Sequence, residues 1–420
     1  MPEPEARTPL DAHLARGRND LLDRIEQPPL ARIRHRAARR RRRGRGAAGG
    51  ALAALAVTGT LLLHPWAPAA DQPPPVAEAP PGGPVYTGDG ITINGLNGPV
   101  TSVPGTIVDI EFTDPDHGYL LSVCVDVEPC PASVARTEDG GGTWQVTELP
   151  GTTRGRTGMD LLAFPDGRLA VTGDTAYTSV DGGRTWRVGA PAGTGSAAGG
   201  FQPGDRLRGQ PPGGSPDGGC GETVRVWRAG QLADGGSLPV DGISVCWVAP
   251  DATADGGWWI GGTRDGHPVA AVTHDGGANW TETPLDTPDG GPATVRVAVL
   301  GARVYAVVLG PGGELRGVFR SADGGRNFTR TSSGVPVGGP QRMTGDPVPL
   351  LDGRLLLSGA DYGWYVSADD GHSFARATGS LPEVGRLART DAGYVAYDLF
   401  DTDWVAYSAD GSTWRKLQIR

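Results

Sequence analysis

The sequence has 420 residues, among them 68 glycines, 37 prolines and 11 tryptophans. The length excludes a single small domain, and the tryptophans argue against disorder because disordered chains are poor in aromatic residues. The net charge is −9, with 38 basic and 47 acidic residues. The first 46 residues hold 13 arginines and six acids, so the rest of the chain holds 25 basic and 41 acidic residues and is strongly acidic. Such an acidic body does not suggest a nucleic-acid partner, since phosphate binding needs a cationic surface.

Residues 1–46 are predicted to form a basic cytoplasmic arm. Thr8 suits a helix cap and Pro9 the first helical position, so a short amphipathic helix is expected before Pro28. This helix has no packing partner of its own and would lie on the membrane or dock a partner. A marginally ordered tail is the alternative.

Residues 47–64 are predicted to span a membrane. No charged residue occurs between Arg45 and Asp71, and these 18 residues reach roughly 27 Å as a helix, enough for a thin hydrocarbon core. The arginines before them keep the N-terminus inside, which makes residues 65–90 a Pro-rich stalk and residues 91–420 an extracytoplasmic body. A cleavable signal peptide ending near Ala69 is the alternative, but a leading region of 46 residues is long for one.

The four cysteines all follow the membrane segment. Cys124 and Cys130 are six residues apart, and Cys220 and Cys246 are 26 apart. An exported body favours two disulfides. Zinc is the alternative, but the seven histidines are scattered and match no ligand spacing, so we expect neither a metal nor a cofactor.

One eight-residue pattern recurs six times: Ser/Thr, any residue, Asp, any residue, Gly, any residue, Thr/Asn/Ser and an aromatic residue, with the last copy one residue shorter. Its aspartates are Asp139, Asp181, Asp275, Asp323, Asp369 and Asp410, and its aromatic residues are Trp144, Trp186, Trp280, Phe328, Phe374 and Trp414. The aspartate accepts backbone N–H bonds within a turn, the glycine supplies a positive φ and the aromatic residue packs into the sheet. We therefore interpret these residues as structural rather than catalytic.

The spacing of these aspartates predicts the architecture. Successive aspartates are 42, 94, 48, 46 and 41 residues apart, and 94 is two periods of 47, so one copy is expected to have degenerated near Val224 to Arg228. Seven units of about 45 residues each suit four short antiparallel strands, and radial stacking buries their faces. The predicted fold is all-β, a seven-bladed β-propeller of four-stranded antiparallel blades. Ile91 to Ile93 is either an extra edge strand or no strand.

The six copies resemble the Asp-box (BNR) repeats of the sialidase-like β-propeller superfamily, here in a membrane-anchored bacterial type. The start of the first unit, Val108 to Asp114 followed by His117 to Tyr119, also resembles the repeats of photosystem II assembly-factor-like and sortilin-like propellers. The resemblance covers residues 105–420 and implies the fold. It is weakly specific for function because the motif is a turn.

Two classes of function follow from this resemblance. Sialidases carry three arginines that bind a carboxylate, a Tyr-Glu nucleophile pair and an Asp acid/base; the arginine motif that precedes their first box is missing here, where only Arg136 of the box strand approximates it. We therefore expect non-catalytic recognition of a protein or cell-envelope glycan. An exo-α-sialidase-type glycoside hydrolase is the alternative, and a scaffold for envelope-protein assembly is a third possibility.

The candidate ligand-binding residues are expected on the face opposite the boxes, which carries the second-to-third-strand loops and the connections between blades. They are Arg154, Arg156, Arg264, Arg316, Asp361, Tyr362 and Asp398. Arginine, tyrosine and aspartate together suit a polar glycan or a peptide. The alternative is that they are ordinary solvated loop residues.

Overall fold

The computed structural model describes residues 85–95, 102–123, 131–151, 159–173, 175–189, 200–210, 220–221, 223–228, 233–240, 242–249, 252–253, 255–287, 290–332, 334–398, 404–417 and 419. The chain divides into two compact units, Met1–Val76 and Ala77–Arg420, and the described residues all belong to the second. The predicted arm, transmembrane helix and most of the stalk lie outside the described residues. Within the described part, no helix is long and apolar enough to cross a membrane.

The described residues form seven sheets, numbered here in chain order, whose strands pair antiparallel apart from one pair in sheet 7. From the inner strand outwards they are sheet 1, β3–β6 (Thr106–Phe112, Gly118–Val123, Ser133–Thr137, Gln145–Glu148); sheet 2, β7–β10 (Asp160–Ala163, Leu169–Thr172, Tyr177–Ser179, Arg187–Val188); sheet 3, β11–β13 (Arg206–Gln210, Thr223–Arg228, Ala233–Pro239); sheet 4, β14–β17 (Ser244–Val248, Trp258–Arg264, His267–Thr273, Thr281–Pro284); sheet 5, β18–β21 (Thr294–Leu300, Arg303–Leu309, Leu315–Ser321, Thr329–Arg330); sheet 6, β22–β25 (Met343–Pro349, Leu355–Gly359, Trp364–Ser367, Ala375–Arg376); and sheet 7, β26–β29 (Arg386–Thr390, Gly393–Tyr397, Val405–Ser408, Thr413–Lys416). A hairpin of β1 (Val85–Gly88) and β2 (Ile91–Asn94) joins sheet 7 at its outer edge.

The sheets follow one another in a closed ring. Inner strands contact their neighbours around the ring, and β26 of sheet 7 returns to β3 of sheet 1. A separate apolar core fills each of the seven junctions between consecutive sheets. A ring of radially packed antiparallel sheets around a central channel is a β-propeller.

The repeated segments form the turns between the third and fourth strands. Asp181 Oδ1 accepts the Thr185 amide at 2.9 Å, and its Oδ2 accepts the Thr185 hydroxyl at 2.7 Å. The Ser179 hydroxyl donates to Asp181 and accepts the Gly183 amide. Equivalent bonds are made by Asp139, Asp275, Asp323 and Asp369, whereas Asp410 of the short copy accepts two amides.

The aromatic residue of each copy packs into the junction with the preceding sheet. These residues are Trp144, Trp186, Trp280, Phe328, Phe374 and Trp414. The junction between sheets 2 and 3 holds Trp227 instead, which is 2% exposed. Each turn therefore fastens its own sheet to a neighbour.

Sheet 3 runs in the opposite direction to sheet 2. Arg206, at the start of β11, donates from Nε to the carbonyl of Ala163 at the end of β7, whereas Arg208, farther along β11, donates to Leu161 near the start of β7. The third strand of this sheet therefore ends at the face opposite the boxes, which gives a box no place there. The segment expected to hold a degenerate copy, Val224 to Arg228, belongs to the second strand instead.

The hairpin β1–β2 closes the space beside sheet 7. β2 pairs in parallel with β29, with Ile93 beside Trp414, and Ile91 and Ile93 are each 1% exposed in the core between sheets 6 and 7. The carboxylate of Asp89 accepts the Thr378 amide of sheet 6 at 2.6 Å. The segment left open by the sequence is thus an edge strand anchored to two sheets.

Candidate functional site

Charged side chains line the channel between the inner strands. Arg206 forms a two-point ion pair with Asp391, in which Nη1 lies 2.9 Å from Oδ1. Arg208 Nη2 lies 3.5 Å from the carboxylate of Glu111 on β3. Both pairs join sheet 3 to other sheets, and the pair with Asp391 neutralises the charge of Arg206 within the protein.

The carboxyl group of Glu111 is protonated more readily than usual. Burial, reinforced by the Asp109 carboxylate and opposed by Arg208, raises the pKa of Glu111 to about 8. Glu111, Arg206 and Arg389 line a cavity of about 10 Å³, which is room for about one water molecule. Glu111 is therefore mainly neutral at pH 7, in a space too small for a sugar ring.

A second group of charges surrounds Arg386. The pKa of this arginine is raised most strongly by the Tyr397 side chain and then by the carboxylates of Asp346, Asp109 and Asp160, while burial acts to lower it. Burial in turn raises the pKa of Tyr397 and of Asp160. In this part of the channel, three carboxyl groups therefore act on one arginine.

A cavity of about 480 Å³ opens at one end of the channel. Its apolar wall includes Trp247, Ala249, Val297, Val299, Pro347 and Pro349, and its polar wall includes Thr253, Asp346, Arg389, Thr390 and Asp391. These residues lie between the middle of the inner strands and the turns that follow them, and Thr113 and Pro165 extend the wall to sheets 1 and 2. Six sheets therefore contribute to a single concave site on the axis of the ring.

The cavity lies on the face that carries the boxes. It is built from the turns that follow the inner strands, and the Gly140 amide of the first box donates to the Asp116 carbonyl of such a turn at 2.8 Å. The sequence predicts ligands on the opposite face, so the structure offers a different position for a binding site. The prediction followed the loops with the most polar residues, whereas the cavity is formed by the inner strands and the turns that follow them.

The two carboxylates of the cavity are already engaged. Asp346 accepts the Trp247 indole N–H at 3.2 Å and lies 3.5 Å from Arg296, and Asp391 is held by Arg206. Arg389 differs from these groups. It is exposed and donates to the Val299 carbonyl, and no carboxylate among the described residues lies within 4 Å of its guanidinium.

Three of the predicted ligand residues bond to groups of their own sheet or of the segment that leads into it. Arg264 pairs with Glu282, and Arg316 donates to the Gly290 and Gly291 carbonyls. Asp361 accepts the Tyr365 hydroxyl and pairs with Arg376, both in sheet 6. Tyr362 has a φ of 62° in the adjacent turn, and Asp398 follows β27. These contacts do not gather the predicted residues into one site, and Arg154 and Arg156 lie outside the described residues.

The structure contains a disulfide between Cys220 and Cys246. It joins the segment before β12 to β14, beside the backbone bridge between Gly221 and Val245. Cys124 and Cys130 lie outside the described residues. Across the described ranges, no group of three or more His, Cys, Asp or Glu residues has the arrangement of a metal site.

Sequence reasoning missed the residues of the channel and cavity. The signal was present in the inner strands, where polar residues alternate with apolar ones, as in Asp109 and Glu111 around Ile110 or Arg206 and Arg208 around Leu207. In a strand buried on one face, such alternation places the polar residues on the other face. Around a ring of inner strands, that face is the channel.

No protein-family model and no curated protein matches the sequence. Solved structures do resemble it: YCF48 from Cyanidioschyzon merolae shows 13% identity over 73% of this chain and 94% of that chain, with a TM-score of 0.42. The GH74 xyloglucanase from Xanthomonas campestris shows 14% identity over 74% and 72%, and the Hadza microbial sialidase Hz136 14% over 76% and 65%, each with a TM-score of 0.36. At these values the likeness says nothing about function, and the fold rests on the strand pairing described above.

Proposed function

We propose that this protein recognises a ligand without transforming it, at the 480 Å³ cavity on the channel axis. The observation that carries the proposal is the union of apolar walls and a few polar groups in one concave site built by six sheets, which is the usual composition of a ligand pocket. Rigid strands hold the walls, so little conformational order is lost on binding.

The ion pairs of the cavity favour binding over acid catalysis. A general acid must come within hydrogen-bond distance of the leaving group, whereas a carboxylate held by an arginine is engaged elsewhere. Asp391 pairs with Arg206 and Asp346 with Arg296. Neither is therefore suited to protonate a leaving group.

Recognition can be tested by closing the cavity. Ala252 is partly exposed and lines it, so Ala252→Trp would fill the mouth with little effect on the strands. The matched control is Ala278→Trp in an exposed box turn. In screens of peptide and glycan arrays with the full chain, ligands of the unmodified protein should be lost in Ala252→Trp and kept in Ala278→Trp; equal retention by both variants would remove the cavity as the binding site.

A sialidase-type glycoside hydrolase is the second candidate, and the observation that favours it is Glu111. Its pKa of about 8 is that of a proton donor, and arginines adjoin it. The one-water cavity beside it counts against a substrate. Turnover of a fluorogenic sialoside by the full chain, abolished in Glu111→Gln, would establish the hydrolase and refute simple recognition; we expect no turnover.

We also propose that each of the seven sheets is one blade, that the six repeated turns are Asp boxes, and that residues 47–64 anchor the propeller outside the cell membrane. The bonding of the turns supports the second point and the apolar composition of residues 47–64 the third. In sealed right-side-out vesicles, external protease should cleave the stalk and release the propeller. Complete protection from protease would contradict the orientation.

A further inference from the structure

No acid among the described residues pairs with Arg389, whereas the other charged groups of the cavity are paired. Arg206 holds the adjacent acid, Asp391, at two points, and Trp247 and Arg296 engage Asp346. Both acids of the cavity are thus turned to other partners. The guanidinium of Arg389 has five N–H donors and donates to one carbonyl, that of Val299, which leaves donors for a ligand.

The charge balance selects the kind of anion. One free arginine matches a single negative charge, whereas a phosphate group brings up to two and would lie close to the carboxylates of Asp346 and Asp391. A carboxylate carries one charge and fits the planar guanidinium with two parallel hydrogen bonds. The cavity is therefore complementary to a carboxylate rather than a phosphate.

The walls beside Arg389 select what carries that carboxylate. Val297, Val299, Pro347, Pro349 and Trp247 offer apolar surface, while Thr253 and Thr390 supply few polar groups. A sugar acid presents hydroxyl groups on most of its ring, and these would lose water without gaining partners. The last residue of a peptide joins a carboxylate directly to an apolar side chain, which suits both parts of the site.

We infer that the cavity binds the free C-terminus of a protein or peptide, with Arg389 pairing the terminal carboxylate and the apolar wall receiving the last side chain. This inference rests on the proposed recognition function. It also assigns roles to the paired groups: Arg206 and Arg296 act as positioning residues, because they keep Asp391 and Asp346 from neutralising Arg389. Capture of a chain end by fixed donors is an established way to recognise peptides.

The test uses the full chain in detergent micelles and pools of random heptapeptides with leucine as the last residue. One pool ends in the free acid and the other in the amide, and a third ends in the amide but carries an internal glutamate. Retention on the immobilised protein is measured by mass spectrometry. We expect the acid pool to be retained about ten- to a hundredfold more strongly than the amide pool, the range of a hydrogen bond to a charged group.

Variants distinguish a failure of this inference from a failure of the proposed recognition function. Arg389→Gln should lose the preference for the acid, and Arg389→Lys should keep part of it. Arg326→Gln, an exposed arginine of the fifth-sheet box, removes the same charge on the same face and should change nothing. If binding is kept in Arg389→Gln but lost in Ala252→Trp, capture of a carboxylate by Arg389 is refuted and recognition at the cavity is not. If binding is kept in both variants, both proposals are refuted. Equal retention of the internal-glutamate pool would refute a chain end as the ligand, and the absence of retention of any pool would refute peptide binding.

Discussion

The hairpin β1–β2 should contribute strongly to the stability of the ring, and Ile93→Ala tests this. Ile93 is 1% exposed and packs in the core that contains Trp364 and Trp414. The substitution removes three buried carbon groups, worth about 2.4 kcal/mol at about 0.8 kcal/mol each, and the cavity left behind brings the loss to about 3 kcal/mol. If the free energy of opening falls by that amount, the equilibrium constant for opening rises roughly 100-fold.

Hydrogen exchange followed by mass spectrometry can measure this change sheet by sheet. In Ile93→Ala, amides of β29 should exchange about 100-fold faster because they lose the strand that pairs with them, and those of β28 should follow when β29 opens. Thr92→Ala is the control, since its side chain lies on the other face of the same strand and its backbone bond to Ser412 remains. Exchange in β28 and β29 that is equal in the two variants would refute the view that the hairpin is part of the core of sheet 7.

Three further predictions concern titration and covalent linkage. Because the pKa of Glu111 is raised to about 8, its contribution to stability is present below its unfolded pKa near 4.5 and is lost as pH rises through 8. In thermal scans from pH 5 to 9, the melting temperature of Glu111→Gln should therefore rise relative to that of the unmodified protein. Parallel curves of melting temperature against pH would contradict this. Hydrogen bonds from Thr185 lower the pKa of Asp181 to about 2, so the stabilising effect of Asp181 should be full above its unfolded pKa and vanish as pH falls through 2. On acidification, the melting temperature of the unmodified protein should therefore fall more steeply than that of Asp181→Asn. Equal slopes would argue against the bonded turn. Cys220→Ser should lower the unfolding free energy by about 3.5 kcal/mol, since the disulfide with Cys246 spans 26 residues. If a reductant destabilises this variant as much as it destabilises the unmodified protein, the loss of stability has another source than this disulfide.

The periodic part of the fold could be predicted from the sequence because it is encoded locally. Each repeated turn forms its hydrogen bonds within six or seven residues, from Ser179 to Thr185 for example, so the motif specifies its own geometry wherever it occurs. A turn that joins a third and a fourth strand implies the other two. The spacing of the copies then gives the size of each sheet.

The direction of sheet 3 and the position of the cavity were not predictable in this way. Both depend on which strands become neighbours after the ring closes, as in the contact between Arg206 and Asp391, which are 185 residues apart. The absence of a box suggested a damaged copy near Trp227, although that tryptophan fills the junction between sheets 2 and 3. Local sequence patterns predict the sheets, whereas the position of the site depends on charge pairs between residues far apart in the sequence.

The parallel pairing of β2 with β29 has a consequence for biosynthesis. The ribosome makes β2 before any of the seven inner strands and β29 after all of them, so the early hairpin waits for its partner through the whole of translation. During that time the apolar side of the hairpin and the open side of sheet 1 are both uncovered. A chaperone that shields Ile91 and Ile93 would have to release them only when the last strand emerges, and premature stop codons would leave a chain that cannot close.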